Sequence, residues 1–454
     1  MIWVNFLHIY QPPTQKPEIL EKVVKESYRK VFAGLKKIPS AKVTLNISAA
    51  LTELLVKYGY DDVIATIREL AEKGQIEFTG SAKYHPLLPR LPEEEIIRQV
   101  KLNIETNRKV FGDVFQPRGF FPPEMAFSRS VAEVVSKLGF EWIVADELSF
   151  NRNVGSIDYS KVYRVKGLPL RIFFREREIS FKILSAQIGT GNMLIAELGK
   201  RINDERYLLT AMDGETFGHH RLGLEELLFD LYRSKRFRSV TISELPRLFP
   251  NEVEIEPLPS TWALMEKDLE RNAPFSRWFD PDNPIHTMQW ELNDLALSAM
   301  KQSDHTNEGY QRARELLDRS LHSDQYWWAG AKPWWSIEYI EAGAKDFLNA
   351  IFAVPGVTEE TKQRAKDLYF RILSTAFDWQ REGIVDRMAK KEDEEIRQRI
   401  DQNVPRMAKQ EFDKMIQSLT TQMLAAAKYK EYERAAQFRN RIKELQGQRE
   451  KIGT

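Results

Sequence analysis

The chain has 454 residues, 42% hydrophobic and 29% charged, a balance that excludes disordered and fibrous classes at a length needing two or three domains. Lys and Arg number 67 against 66 Asp and Glu, so a net charge of +1 gives no overall pull toward nucleic acid or an anionic membrane. The absence of cysteine excludes disulfides, thiolate metal sites, iron–sulfur clusters and cysteine nucleophiles.

Met1–His8 lacks a basic n-region and reads as a strand rather than a signal peptide. No apolar run approaches the ~18–20 residues that cross a bilayer, so a soluble cytoplasmic protein is expected. Ile2–Leu7 is the first predicted strand, and a charged helical stretch follows over Glu18–Lys37. Lys42–Ile47 is the second strand, and Leu51–Lys73 has helical periodicity up to a stop at Gly74. Gln75–Thr79 is the third. A helix then opens at Leu91–Glu95, with Pro92 in its first position and acids in its first turn. Gly119–Phe121, Trp142–Ala145, Tyr207–Met212 and Ser239–Ile242 complete seven predicted strands. Strand–helix alternation implies a parallel sheet with crossover helices. About seven units in about 250 residues fit a closed or nearly closed βα barrel, and an open doubly wound sheet is the second solution.

Beyond residue 285 the strand pattern gives way to helices over 286–302, 308–320 and 336–352. Seven of the ten tryptophans fall between Trp262 and Trp335. The expected organisation is a barrel over 1–260, a helical subdomain over 261–385 that lends aromatic side chains to a cleft, and a helical tail over 386–454. In the tail, Tyr432, Ala435, Phe438, Ile442 and Leu445 recur at spacings of three and four, making one apolar stripe. The stretch Tyr432–Ile442 resembles the short UVR helical-hairpin motif, which implies an interaction segment for a partner protein or a second copy.

In parallel βα folds reactive groups lie just past the carboxyl ends of strands. Those positions hold His8, Tyr10 and Gln11; Asn46 and Ser48; Ser81, Lys83, Tyr84 and His85; Glu124; Asp146 and Glu147; and Asp213, Glu215, His219 and His220. One polar residue at a strand end commonly caps the next helix, but repetition at five or six ends points to a site. Glu124 follows Pro122 and Pro123, which fix its loop, and Asp213 is followed by Gly214 and Gly218, which permit tight turns. Two carboxylates from different strands are the usual apparatus of glycoside hydrolysis. Gly189–Leu194 starts like a dinucleotide loop but lacks the third glycine, and no Walker A, His-Glu-x-x-His or Gly-x-Ser-x-Gly motif occurs.

Five segments in order resemble glycoside hydrolase family 57: His8–Pro12, Gly74–Pro86, Gly119–Glu124, Asp213–His219 and Leu321–Trp328. The resemblance implies a (β/α)7 barrel, an incomplete TIM-type barrel, followed by a helical subdomain. It implies a retaining enzyme of α-glucans with Glu124 as nucleophile and Asp213 as acid/base, with no metal or organic cofactor. It makes His8, Tyr10, Gln11, Tyr84, His85, Asp146, Glu215, His219, Asp324, Trp327 and Trp328 candidates for substrate binding. Tyr10 stands where the first segment usually has its second His; it can donate a hydrogen bond and stack on a sugar but cannot carry positive charge. Hydrolysis and glucanosyl transfer remain equally open. Two other readings stay beside this one: a deacetylase-like hydrolase with metal on His8, Asp213 and His219, and a non-catalytic glucan sensor.

Overall fold

The computed structural model describes residues 1–402, 409–428 and 432–451. Its strands are β1 (Ile2–Ile9), β2 (Val43–Ile47), β3 (Ile76–Gly80), β4 (Gly119–Phe120), β5 (Trp142–Asp146), β6 (Val162–Val165), β7 (Arg171–Arg175), β8 (Tyr207–Asp213), β9 (Arg238–Ser239) and β10 (Glu252–Ile255). Seven run parallel in the order β7-β5-β4-β3-β2-β1-β8. Beyond β7 the sheet continues through antiparallel β6 to β10, and β9 lies beside the start of β1. The sheet curls into an incomplete barrel. Its open seam is bridged where the Glu176 N–H, just past β7, donates to Leu209 O of β8 at 2.7 Å.

Period-two alternation sorts each strand between two cores. On β1, Val4 and Phe6 join the core of the barrel interior, whereas Trp3, Leu7 and Ile9 join the core beneath the outer helices. His8 follows the even, inward register and so emerges inside the barrel at its carboxyl end. Most strand residues are buried on both faces, as parallel strands covered by helices must be. Helices begin at side-chain caps that the sequence supplies: Ser48 accepts from the Leu51 N–H and Ser128 from the Val131 N–H. Ser48 is thus a helix cap. The helix Asp61–Glu72 stops at Gly74, which takes φ +68°.

Two expectations need correction. Ser239–Ile242 is not the seventh barrel strand. Only Arg238–Ser239 pairs with β1, and Thr241 then starts a 3-10 turn closed by a reciprocal cap with Glu244. The seventh parallel strand is β7, whose apolar centre is framed by Arg171 and Arg175. Pro92 sits at the cap of the helix Glu93–Phe111 rather than in its first position.

The helical part comprises Pro284–Lys301, Tyr310–Ser320, Ile337–Ala353 and Glu359–Arg381, with shorter turns between. Its buried Trp278, Trp290, Ile340 and Phe347 belong to the same contiguous core as Phe120, Ile143 and Phe173 of the barrel. Arg314 clamps the two parts, donating to Glu95 at 2.8 Å and to Asp318 at 2.8 Å. The tail forms helices Ile384–Gln402, Lys409–Lys428 and Tyr432–Lys451. The rest of the predicted tail, at 403–408, 429–431 and 452–454, lies outside the described residues. Phe438, Ile442 and Leu445 are buried against the preceding helix, but Tyr432 is 68% exposed and so leaves the expected stripe. Among the described residues no helix is long and apolar enough to cross a membrane.

Candidate active site

Glu124 and Asp213 occupy the carboxyl ends of β4 and β8, where the sequence pattern puts them. The turn after Pro122 and Pro123 carries Glu124 at φ +60° and Met125 at φ +50°, a left-handed pair that aims the carboxylate inward. Trp262 fixes it: the indole Nε1–H donates to Glu124 Oε2 at 2.9 Å. Its other oxygen stands 3.6 Å from His85 Nδ1.

Behind Glu124 runs a chain of neutral imidazoles. Asn46 donates to Thr79 Oγ1 at 2.9 Å, which turns its carbonyl oxygen to His8 Nδ1 at 2.7 Å. His8 Nδ1 is therefore assigned the proton, and its bare Nε2 accepts from His85 Nε2–H at 3.1 Å. His85 Nδ1 is left as an acceptor, facing Ser323 Oγ at 3.2 Å. Burial drives both rings to the neutral form, His85 to about 4 and His8 well below its ordinary value. The rings pile up: Tyr10 on His85 at 4.1 Å, His85 on His8 at 5.0 Å, His8 on Phe121 at 4.6 Å.

The Tyr10 hydroxyl donates to Asp324 Oδ2 at 2.6 Å, so β1 is tied to the helical part across the barrel mouth. Burial disfavours the Asp324 carboxylate, but His322, His85 and Tyr10 outweigh it and hold its pKa below the ordinary value. Glu215 is gripped by the Tyr28 hydroxyl, by the Tyr10 N–H at 3.2 Å and by Gln11 Nε2 at 3.3 Å. Tyr28 ends a π-helical turn, Val24–Tyr28, that rests on the segment after β8. Asp146 is fully buried between Arg175 at 3.2 Å and Arg177 at 2.8 Å.

Three carboxyls share this end of the barrel. Burial first, and the Asp213 charge second, push Glu124 up to about 8. The same two causes, in the same order, push Glu215 up to about 8. Asp213 also rises on burial, but the Arg175 guanidinium limits it to about 6. Arg175 is thus the cation that keeps Asp213 ionisable.

The predicted residues His8, Tyr10, Gln11, His85, Glu124, Asp213, Glu215 and Asp324 therefore converge, with Asp146 behind Arg175. The remaining predicted residues are engaged with other partners. His219 pairs with Glu26 at 2.7 Å, and Tyr84 is buried under the Lys83 ammonium, with its N–H on Gln99 at 3.2 Å. Trp327 packs on Trp278 at 5.2 Å, and Trp328 stacks on Tyr339 at 5.0 Å. The trio His8, Asp213 and His219 is not brought together as a ligand group. Among the described residues no three His, Asp or Glu side chains group as a metal site. Trp262, Arg175 and Tyr28 complete the site without a local sequence signal.

The curled parallel sheet and its helical part are those of a (β/α)7-type barrel. The chain belongs to glycosyl hydrolase family 57, whose family model matches residues 6–255. A UvrB/uvrC motif is matched over 413–448. The α-amylase of Pyrococcus horikoshii is 27% identical over 150 residues, 32% of this chain and 23% of that protein. The 4-α-glucanotransferase of Thermococcus litoralis is 25% identical over 150 residues, 32% of this chain and 22% of that protein. The match thus spans less than a quarter of the length of either relative. In fold, the chain is similar to the crystal structure of the T. litoralis 4-α-glucanotransferase, with TM-score 0.62 and 18% identity over 77% of this chain and 58% of that one. It is also similar to that of the branching enzyme of P. horikoshii, with TM-score 0.60 and 17% identity over 82% of this chain and 94% of that one.

Proposed function

We propose that this chain acts on α-1,4-glucans as a retaining glycosidase or transglycosylase, with Glu124 as nucleophile and Asp213 as acid/base. The observation that carries the reading is the charge coupling of Glu124 to Asp213 at one buried barrel end. Between pH about 6 and about 8 the pair holds a single proton, the number of protons that double displacement uses. Glu124, ionised, attacks the anomeric carbon while Asp213 gives its proton to the departing glycosidic oxygen. This forms a glycosyl ester and frees the shortened chain. Asp213 then takes a proton from water or from a sugar hydroxyl, whose oxygen attacks the anomeric carbon and releases Glu124. In the free protein the proton rests mainly on Glu124. Cationic charge developing at the anomeric carbon favours the ionised Glu124 and leaves the proton with Asp213. His85, being neutral, accepts hydrogen bonds beside the nucleophile and supplies no competing charge.

The test is incubation with maltoheptaose and separation of products by length. Glu124→Ala and Asp213→Ala should each lower turnover by at least about a thousandfold with the fold intact. Longer and shorter products together indicate transfer, and shorter products alone indicate hydrolysis. Near-wild-type turnover by both variants refutes the assignment.

A further inference from the structure

Helices Lys409–Lys428 and Tyr432–Lys451 pack together through Phe412, Leu419, Phe438, Ile442 and Leu445. The hairpin also leans on two barrel loops. The Thr190 hydroxyl donates to Glu411 at 2.6 Å and Asn192 Nδ2 donates to it at 3.3 Å. A Cβ on Gly189 would come 2.4 Å from Met415 Cε, and one on Gly223 would come 2.8 Å from Leu419 Cδ2. Both loops thus leave room that the hairpin fills.

Gly223 ends the segment that begins at Asp213, and this segment is bonded to itself. Glu215 O accepts from the N–H groups of His219 at 3.2 Å and His220 at 2.8 Å. Arg221 N–H donates to Thr216 O at 3.2 Å, and Gly218 N–H to Arg221 O at 3.2 Å. Asp213 and Glu215 sit at one end of this unit, and the hairpin grips the other. Beside these contacts lies a half-open pocket of about 260 Å³, lined in part by Arg221, Glu226, Asp230, Glu411, Lys414 and Arg441. The contact joins a few apolar side chains to a charged, half-open edge, and interfaces within a chain that are not large and hydrophobic permit relative motion.

We propose that the C-terminal hairpin is a detachable brace for residues 213–223, with Met415 and Leu419 as positioning residues that set Asp213 and Glu215 against the substrate. The proposal rests on the functional reading above for the roles of Asp213 and Glu215 and for its kinetic readout, but not for the brace itself. A catalytic group displaced by about 1 Å loses about a hundredfold in rate, so release at Gly223 is felt at Asp213.

The test compares full-length wild type with the Met415→Glu/Leu419→Glu double variant, Phe438→Asp (which breaks the hairpin's own core) and the conservative Leu419→Met. In the two disruptive variants, amide hydrogen exchange at 214–223 should quicken about tenfold or more. Their kcat on maltoheptaose should fall about 10- to 100-fold, with KM within about twofold. Their pH–rate bell should move to lower pH, because water reaching Asp213 also relieves its repulsion of Glu124 and Glu215, while Arg175 stays in place. Leu419→Met should match wild type throughout. Fast exchange in the hairpin with 214–223 still protected, and kcat and pH profile unmoved, overturns the brace. If wild type turns over no α-glucan, the functional reading fails alone, and exchange at 214–223 still decides the brace.

Discussion

Trp262→Phe tests what the indole donor does for Glu124. Phenylalanine keeps an aromatic ring near Phe121 and His8, which lie 5.6 Å and 5.9 Å from the Trp262 ring, and removes the Nε1–H at 2.9 Å together with the second ring of the indole. A hydrogen bond to a charged group contributes about 1.5–3 kcal/mol. At about 1.36 kcal/mol per pKa step, the Glu124 pKa climbs by about 1 to 2 from its value of about 8. The donor favours the ionised form, so its loss raises the pKa. Turnover needs the shared proton on Asp213, and a tighter hold by Glu124 depletes that arrangement by the same factor. The plateau of kcat/KM should fall roughly 10- to 150-fold. The alkaline limb should move up by about 1 to 2, and the acid limb, set by Asp213, should stay. The assay is kcat/KM on maltoheptaose from pH about 4 to about 10. A lower plateau with unmoved limbs, or an alkaline limb moving down, refutes the reasoning.

Tyr10→Phe removes the donor to Asp324 and should destabilise the fold by about 1.5–3 kcal/mol in urea at neutral pH. Because the Asp324 pKa lies below its ordinary value in the folded chain, that contribution is present above the unfolded pKa and lost as pH falls through the folded one. The difference from wild type should therefore shrink as the medium is made more acidic than the ordinary aspartate pKa, and a gap that widens there contradicts the assignment. Arg314→Leu strips the buried Glu95 carboxylate of its cation, whereas Asp318 keeps Arg98 at 2.6 Å. Urea unfolding should show a loss of about 3–5 kcal/mol; a loss below about 1 kcal/mol would mean that Glu95 finds another partner.

Six of the seven barrel strands are legible in the sequence because each is an apolar run bounded by turn residues. The seventh is hidden by its arginines. Arg171-Ile172-Phe173-Phe174-Arg175 looks charged, yet Arg175 is buried because Asp146 of β5 and Asp213 of β8 balance it. Ser239–Ile242 shows the opposite error: β-branched residues mimic a strand where a Thr241–Glu244 cap diverts the chain. Within the site, residues at strand ends are legible because topology delivers them to one place. Trp262 is not, since it enters from a loop 138 residues beyond Glu124. Tyr28 is not either, because a π-helical turn, not periodicity, aims it at Glu215. His219 shows the converse, since its conspicuous motif spends the ring on Glu26.

His85 and Glu124 both hold left-handed backbones, at φ +57° and +60°. Such angles suit glycine and cost other residues roughly 1–3 kcal/mol each. Glycine at 124 would relax the turn and delete a carboxyl that folding forces to take up a proton. The Glu124→Gly chain should therefore melt later than wild type while being inert. At this one turn the demands of durability and of a reactive carboxyl pull in opposite directions.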